Sequence, residues 1–364
     1  MRKLSKLIIA LIVMIFGLCI STRDVNAKDG VIDPEEMFEI QNEACQAHQK
    51  LMSVIDPNYK CVFPSDFSGD YIDDYGKLHI LLTCDKNINL YKNMMSEFDC
   101  VVFEFQEKSY NELSKEMNEF IKKYEDSFDI KSYGVDILNN RVIVTIDEND
   151  KEKYEKLNYQ MPSNIYCEFS SNCREESSVV GGAKIWDNGY CTLAGSGTYN
   201  GYTAFLTCGH GSAVNNIVTH NGNTIGTVKV QVCASGSSGD YAIIKAASGY
   251  TATSSVLTGS STINFTGFLY HPAVGTYLYK FGQTTGQSYC RVNIYSTTQS
   301  GITNLSRAQV ITGSSAVGDS SGPYRCGKQF CGVHRGSIDI GGTTYVTFTP
   351  YVVVHNAGFS IKTN

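Results

Sequence analysis

Gly318-Asp319-Ser320-Ser321-Gly322-Pro323 sets a serine in a glycine-bracketed turn, and two earlier segments supply what that serine lacks: Leu206-Thr207-Cys208-Gly209-His210 and Gly239-Asp240-Tyr241-Ala242. A serine hydroxyl is a poor nucleophile at neutral pH. It needs an imidazole to take its proton, and the imidazole needs a carboxylate to fix its tautomer and stabilise its charged form. Ser320 is the candidate nucleophile, His210 the general acid and base, and Asp240 the orienter. Gly318 carries no side chain, so its N–H can turn beside that of Ser320 to form an oxyanion hole. Either segment alone would pass for a surface turn or a core histidine. Their order and spacing argue for a catalytic set.

With these residues in that order, the chain resembles the chymotrypsin-like serine peptidases, and within them the bacterial streptogrisin and α-lytic type made with a large N-terminal pro-domain. The likeness runs from about Val179 to the end, with Val180-Gly181-Gly182-Ala183 as the start and Gly282-Gln283-Thr284-Thr285-Gly286 in the middle. Gly341-Gly342-Thr343-Thr344-Tyr345 and a closing helix near Pro350 to Ala357 complete it. The resemblance implies an all-β peptidase of two antiparallel six-stranded β-barrels, with the triad at their junction, preceded by an α+β pro-domain that aids folding and then inhibits. Two departures stand out. Gly211 follows the histidine where the family has cysteine, and Ser321 follows the nucleophile where the family has glycine. Cys208 lies two residues before His210, so the partner of Cys191 is open, and a backbone that demanded glycine at 321 would be strained.

Arg2, Lys3 and Lys6, an apolar run from Leu7 to Ile20 and the small-residue site Val25-Asn26-Ala27 read as a secretory signal peptide over 1–27. The apolar run is short for a membrane span. Export permits disulfides. Thirteen cysteines less Cys19 leave twelve, six on each side of Val179. Cys326 and Cys331, flanking a short turn, are the best single pair, although six cysteines allow 15 pairings.

Charge divides the remainder. Residues 28–178 carry 31 acidic and 16 basic side chains, whereas 179–364 carry four acidic and ten basic. Opposite signs favour docking of the two lengths on each other. The acidic length, 28–178, reads as the pro-domain. Its signals are a helix start at Asp33-Pro34-Glu35-Glu36, a helix bearing Leu113, Met117, Phe120, Ile121 and Tyr124 on one face, and a hairpin around Asn139-Asn140. The length 179–364 is rich in Gly, Ser and Thr, with short alternating strands such as Thr203–Leu206 and Tyr241–Ile244, as a β-barrel enzyme requires. Its non-local contacts predict slow folding, which gives a folding aid a purpose.

Specificity is expected in the strand after the nucleophile. The resemblance assigns His334, Arg335 and Ser337 to the pocket for the residue before the scissile bond, with His334 where the acid-selecting glutamyl endopeptidases carry a histidine. An imidazolium and a hydroxyl suit a carboxylate. The last glutamate of the chain is Glu176, and a protease cutting after glutamate would gain from lacking it. Arg335 could equally point to solvent. Lys280 is the candidate partner for Asp319, the acid beside the nucleophile. His48, His79, His220, His271 and His355 read as surface or core residues.

Taken together, the sequence reads as a secreted, monomeric serine endopeptidase acting on proteins or peptides, restrained by its own pro-domain. The alternative is an inactive peptidase-like binding or adhesion module. No cofactor or metal spacing is present, and neither nucleic-acid nor membrane binding is supported.

Overall fold

The computed structural model describes residues 34–157, 162–170, 172–175, 184–186, 190–259 and 261–364. The leader, Glu176, the boundary between 178 and 179 and the segment Val180–Ala183 lie outside these residues. Side chains of 172–175 and of Cys191 are likewise not described.

Strand predominates, and helices concentrate in the first half. Helices Pro34–Ile40 and Asn42–Ile55 precede a three-stranded sheet of Phe67–Ile72, Leu78–Leu82 and Val101–Phe105. Helix Tyr110–Tyr124 opens on a capping box: Ser109 accepts the Glu112 N–H and the Glu112 carboxylate accepts the Ser109 N–H. Lys122 and Lys123 close it against the negative end of the helix dipole. It buries Leu113, Phe120 and Tyr124, with Met117 and Ile121 partly covered, so the apolar face expected from spacing is the one that packs. The expected hairpin is formed by Ile130–Asp136 and Arg141–Asp147, turning where Asn140 takes a positive φ of 47°.

Two β assemblies make the second half. In one, eight strands lie in the order 359–361, 195–199, 202–207, 241–246, 223–232, 217–220, 184–186, 190–192. In the other, six strands run 277–282, 323–326, 329–340, 343–350, 302–312 and 286–299, and the last pairs back onto the first. The first row holds eight strands where six were expected, because Phe359–Ile361 at one end and the hairpin of Lys184–Trp186 and Tyr190–Thr192 at the other extend a five-stranded set. The closing helix is Tyr351–Asn356.

The two halves share a sheet. Ser132, Tyr133 and Gly134 pair with Gln299, Thr298 and Thr297, carrying the six-stranded order on into Arg141–Asp147 and Ile165–Ser170. Gly134 is needed for this approach, because a Cβ there would sit 2.9 Å from the Ile294 side chain and 3.0 Å from the Ser296 carbonyl. Charge complementarity is realised in ion pairs across the halves: Arg307 Nη1 to Glu168 Oε1 at 2.6 Å and Arg291 Nη2 to Asp74 Oδ1 at 2.8 Å.

The expected Cys326–Cys331 bridge is not formed. Among the described residues, neither is disulfide-bonded, nor are Cys45, Cys61, Cys84, Cys100, Cys167, Cys233 and Cys290. The hairpin register sets Cys326 opposite Gln329 and slips between Tyr324 and Arg325. Consequently the Cys331 thiol donates to the Gln329 carbonyl at 3.4 Å, while Cys326 Sγ accepts from Gln41 Nε2 at 3.3 Å.

Candidate active site

His210 sits in the turn after strand Tyr202–Thr207, and Gly209 lets that turn lie against the chain at Val232, whose carbonyl a Cβ would strike. Asp240 opens strand Tyr241–Ala246. Its Oδ1 accepts the N–H groups of Gly209 at 2.7 Å and His210 at 3.0 Å, and its Oδ2 faces His210 Nδ1 at 2.7 Å. Thr349 of the six-stranded assembly holds Asp240 by both backbone groups, its Oγ1 accepting the N–H at 2.8 Å and donating to the carbonyl at 3.0 Å. His210 Nε2 lies 3.0 Å from Ser320 Oγ. The three residues predicted from sequence are thus brought together, one assembly giving His210 and Asp240 and the other Ser320.

Burial works against a charged His210, but Cys208 and Asp240 beside it outweigh that and hold its proton affinity well above the ordinary imidazole range. Burial likewise opposes ionisation of Asp240, and the neighbouring His210 and Arg335 overcome it, keeping the carboxyl below its usual range.

Proteases are among the solved structures that match part of the chain. One is described as a glutamic-acid-specific serine protease that uses a novel histidine triad in substrate binding: 25% identity, 50% of this chain and 100% of that chain covered, TM-score 0.44. Thermobifida fusca protease A gives 24% identity, 51% and 100% coverage and a TM-score of 0.44. Nocardiopsis protease gives 22% identity, 51% and 100% coverage and a TM-score of 0.45. No family model matches the chain, and no curated protein matches it.

Around the serine, Gly318 takes a φ of 103°, a conformation that favours glycine. The N–H groups of Asp319, Ser321 and Gly322 are held by Ala316, His334 and Asp319 carbonyls. Among the described residues, none accepts the N–H of Gly318 or of Ser320. Ser321 also has a left-handed backbone, φ 70°, so the glycine that the resemblance led one to expect would be at home there. Its hydroxyl compensates. It accepts the Cys208 N–H at 2.7 Å and meets Thr207 Oγ1 at 3.1 Å, tying the nucleophile turn to the histidine turn. Sequence reading identified the departure but not this tie, because Ser321 and Cys208 are neighbours only in the folded chain.

Asp319 turns inward to Lys280, Nζ to Oδ2 2.6 Å, and its other oxygen accepts the N–H groups of Thr284 and Thr285 at 3.1 and 3.0 Å. Lys280 Nζ also donates to Ser315 Oγ at 2.9 Å. Ser315 Oγ lies 3.2 Å from His334 Nε2, and Tyr324 Oη lies 3.0 Å from His334 Nδ1. His334 is fully buried within this chain of polar groups.

Arg335 needs correction. It points neither to solvent nor alongside His334. Only 1% exposed, it brings Nε to 3.3 Å from Asp240 Oδ2. The strand bulges between His334 and Gly336, pairing them with successive residues Phe348 and Thr347, so Arg335 is the extra residue and its side chain is redirected. Ser337 is buried and pairs with Arg174: strand Asn172–Glu175 runs antiparallel to Gly336–Asp339. Among the described residues, no group of three or more His, Cys, Asp or Glu side chains could hold a metal ion.

Proposed function

We propose that the chain is the precursor of a secreted serine endopeptidase, with 1–27 as leader, 28–178 as pro-domain and 179–364 as an enzyme of two β-barrels. The observation that carries this reading is the continuous relay from Asp240 Oδ2 to His210 Nδ1, 2.7 Å, and from His210 Nε2 to Ser320 Oγ, 3.0 Å. In the reaction Ser320 Oγ attacks the substrate carbonyl while His210 Nε2 takes its proton. Asp240 holds the Nδ1–H tautomer and stabilises the imidazolium. The developing oxyanion would be met by the N–H groups of Gly318 and Ser320, each such donor being worth roughly 100-fold or more in rate. His210 then protonates the leaving amine, and water resolves the acyl-enzyme through the same imidazole.

Inhibition by the N-terminal half is supported by strand Asn172–Glu175, which lies antiparallel along the strand that follows the nucleophile, the mode in which an extended peptide adds to a sheet. Glu176 is the next residue in the chain, and the bond after it is the expected cut. A preference for glutamate before the scissile bond is supported by His334, whose nitrogens are engaged by Ser315 and Tyr324, and by the Lys280 ammonium behind Ser315.

The test is the intact mass and new N-terminus of the secreted chain beside the same chain carrying Ser320→Ala. Trimming of the wild type alone, starting at Ser177, is the expected result. If neither chain is trimmed and an active-site phosphonate does not label Ser320, the inert binding module replaces this reading.

A further inference from the structure

Asp240 Oδ2 meets His210 Nδ1 in a hydrogen bond of 2.7 Å and lies 3.3 Å from Arg335 Nε, an ion-pair contact without hydrogen-bond geometry. Neither Asp240 nor Arg335 is exposed by more than 1%. A guanidinium stays charged throughout the working pH range, so it is a permanent cation against the carboxylate that must also stabilise a transient one. Its placement is built into the backbone, since the bulge between His334 and Gly336 aims the extra side chain inward beneath the histidine. Nothing in a simple nucleophile, base and carboxylate set requires such a group.

Resting on the peptidase reading above, we infer that Arg335 is a positioning residue that lowers the pH at which His210 becomes available as a base. By sharing Oδ2, the guanidinium diverts part of the carboxylate's field from the imidazolium and orients the oxygen that His210 meets. Among the described residues, the other groups facing His210 act in the opposite or a neutral sense: Asp240 from the start of its strand, Cys208 on the histidine's own turn, Cys233 at the end of the adjoining strand and the Ser320 hydroxyl. Arg335 is the cation of the set. Without it, His210 would hold its proton to higher pH, and the enzyme would lose activity at the acid end of its range.

The experiment is the pH dependence of phosphonate labelling of Ser320 in the secreted chain after trimming, with the inhibitory half released, which reads the availability of the base without depending on substrate preference. Wild type is compared with Arg335→Lys, Arg335→Gln and Arg335→Met. The acid midpoint should rise by about one pH unit, a tenfold change in proton affinity, in both neutral variants and stay within about 0.3 unit in Arg335→Lys. The inference is overturned if the neutral variants keep the wild-type midpoint, if Arg335→Lys shifts as far as they do, or if only selectivity for acidic over apolar peptides changes. Failure of the wild type to label at any pH overturns the peptidase reading and this inference with it. Labelling with an unmoved midpoint overturns this inference alone.

Discussion

Lys280 Nζ lies 2.6 Å from Asp319 Oδ2, and both side chains are wholly excluded from solvent. The ammonium is the only full charge against a carboxylate whose remaining lone pairs go to Thr284, Thr285 and Ala316 among the described residues. Burial opposes the Asp319 charge, and Lys280 with these donors overcomes it, holding the carboxyl below its ordinary range. Replacing the lysine by methionine leaves a buried charge unpaired, a change that costs about 3–5 kcal/mol. Lys280→Met should lower the urea midpoint by that measure and loosen the turn that carries Gly318 and Ser320. A variant as stable and as readily labelled as the wild type would show that the pair does not hold the turn.

Ser321 predicts an inversion of the usual ranking of alanine and glycine. Its positive φ is strained by roughly 1–2 kcal/mol, while its hydroxyl satisfies the buried Cys208 N–H. Ser321→Gly relieves the strain as it removes the bond, so stability should change by no more than about 1 kcal/mol. Ser321→Ala keeps the strain and orphans the N–H, and should cost on the order of 2 kcal/mol. Urea unfolding of the two variants decides the matter: equal costs would dismiss the strain, and two variants as stable as the wild type would dismiss the tie.

His271 predicts acid loosening of the two halves. It is 4% exposed, its Nδ1 has no hydrogen-bond partner among the described residues, and its carbonyl accepts from His48 Nε2 at 3.0 Å, while His48 Nδ1 faces Asp70 Oδ2 at 2.5 Å. Burial first, and then the adjacent His48, push its proton affinity well below the ordinary range. The folded state therefore keeps His271 neutral, whereas the unfolded state gains a proton as pH falls through about 6.5. Stability present above that pH is lost below it, by up to about 1.4 kcal/mol per pH unit. Between pH 7 and pH 5 the urea midpoint should fall more for the wild type than for His271→Phe. Equal falls would assign the loss to other groups.

His334 predicts selectivity. His334→Leu removes the nitrogens that Ser315 and Tyr324 address, so cleavage after glutamate should decline relative to cleavage after leucine or phenylalanine. Peptides differing only at that residue provide the assay, with urea unfolding as the control for folding. A wild type that prefers phenylalanine, leucine or arginine contradicts the acidic pocket.

Local signals proved sufficient where a residue's role depends on its own neighbours in sequence. The helix start at Pro34, the apolar face of Tyr110–Tyr124 and the Asn140 turn are each specified within a few positions. The meeting of His210, Asp240 and Ser320 was legible for a different reason, since the motifs around them carry a family resemblance that implies it. Arg335 was not legible, because its direction follows from a bulge that shifts register by one residue, and alternation alone cannot reveal such a slip. Nor was the pairing of the cysteines. Counting them gives the number of possible bridges, whereas the hairpin register turns Cys326 and Cys331 to other partners. The buried contact of His48 with Asp70 and His271 joins residues from both halves, and no local pattern marks it.

Under the proposed processing, the sheet shared by the two halves has a consequence for the second half. Strand Gly286–Gln299 would lose its neighbour and become a border with bare peptide groups at Thr297, Thr298 and Gln299. Such borders invite fibrous self-association. This one is short, and repeated register slips along its pairing with Ile302–Thr312 bend it, leaving few straight peptide units for a second molecule to copy. The irregularity that makes the strand an awkward template would work against such association in a liberated second half.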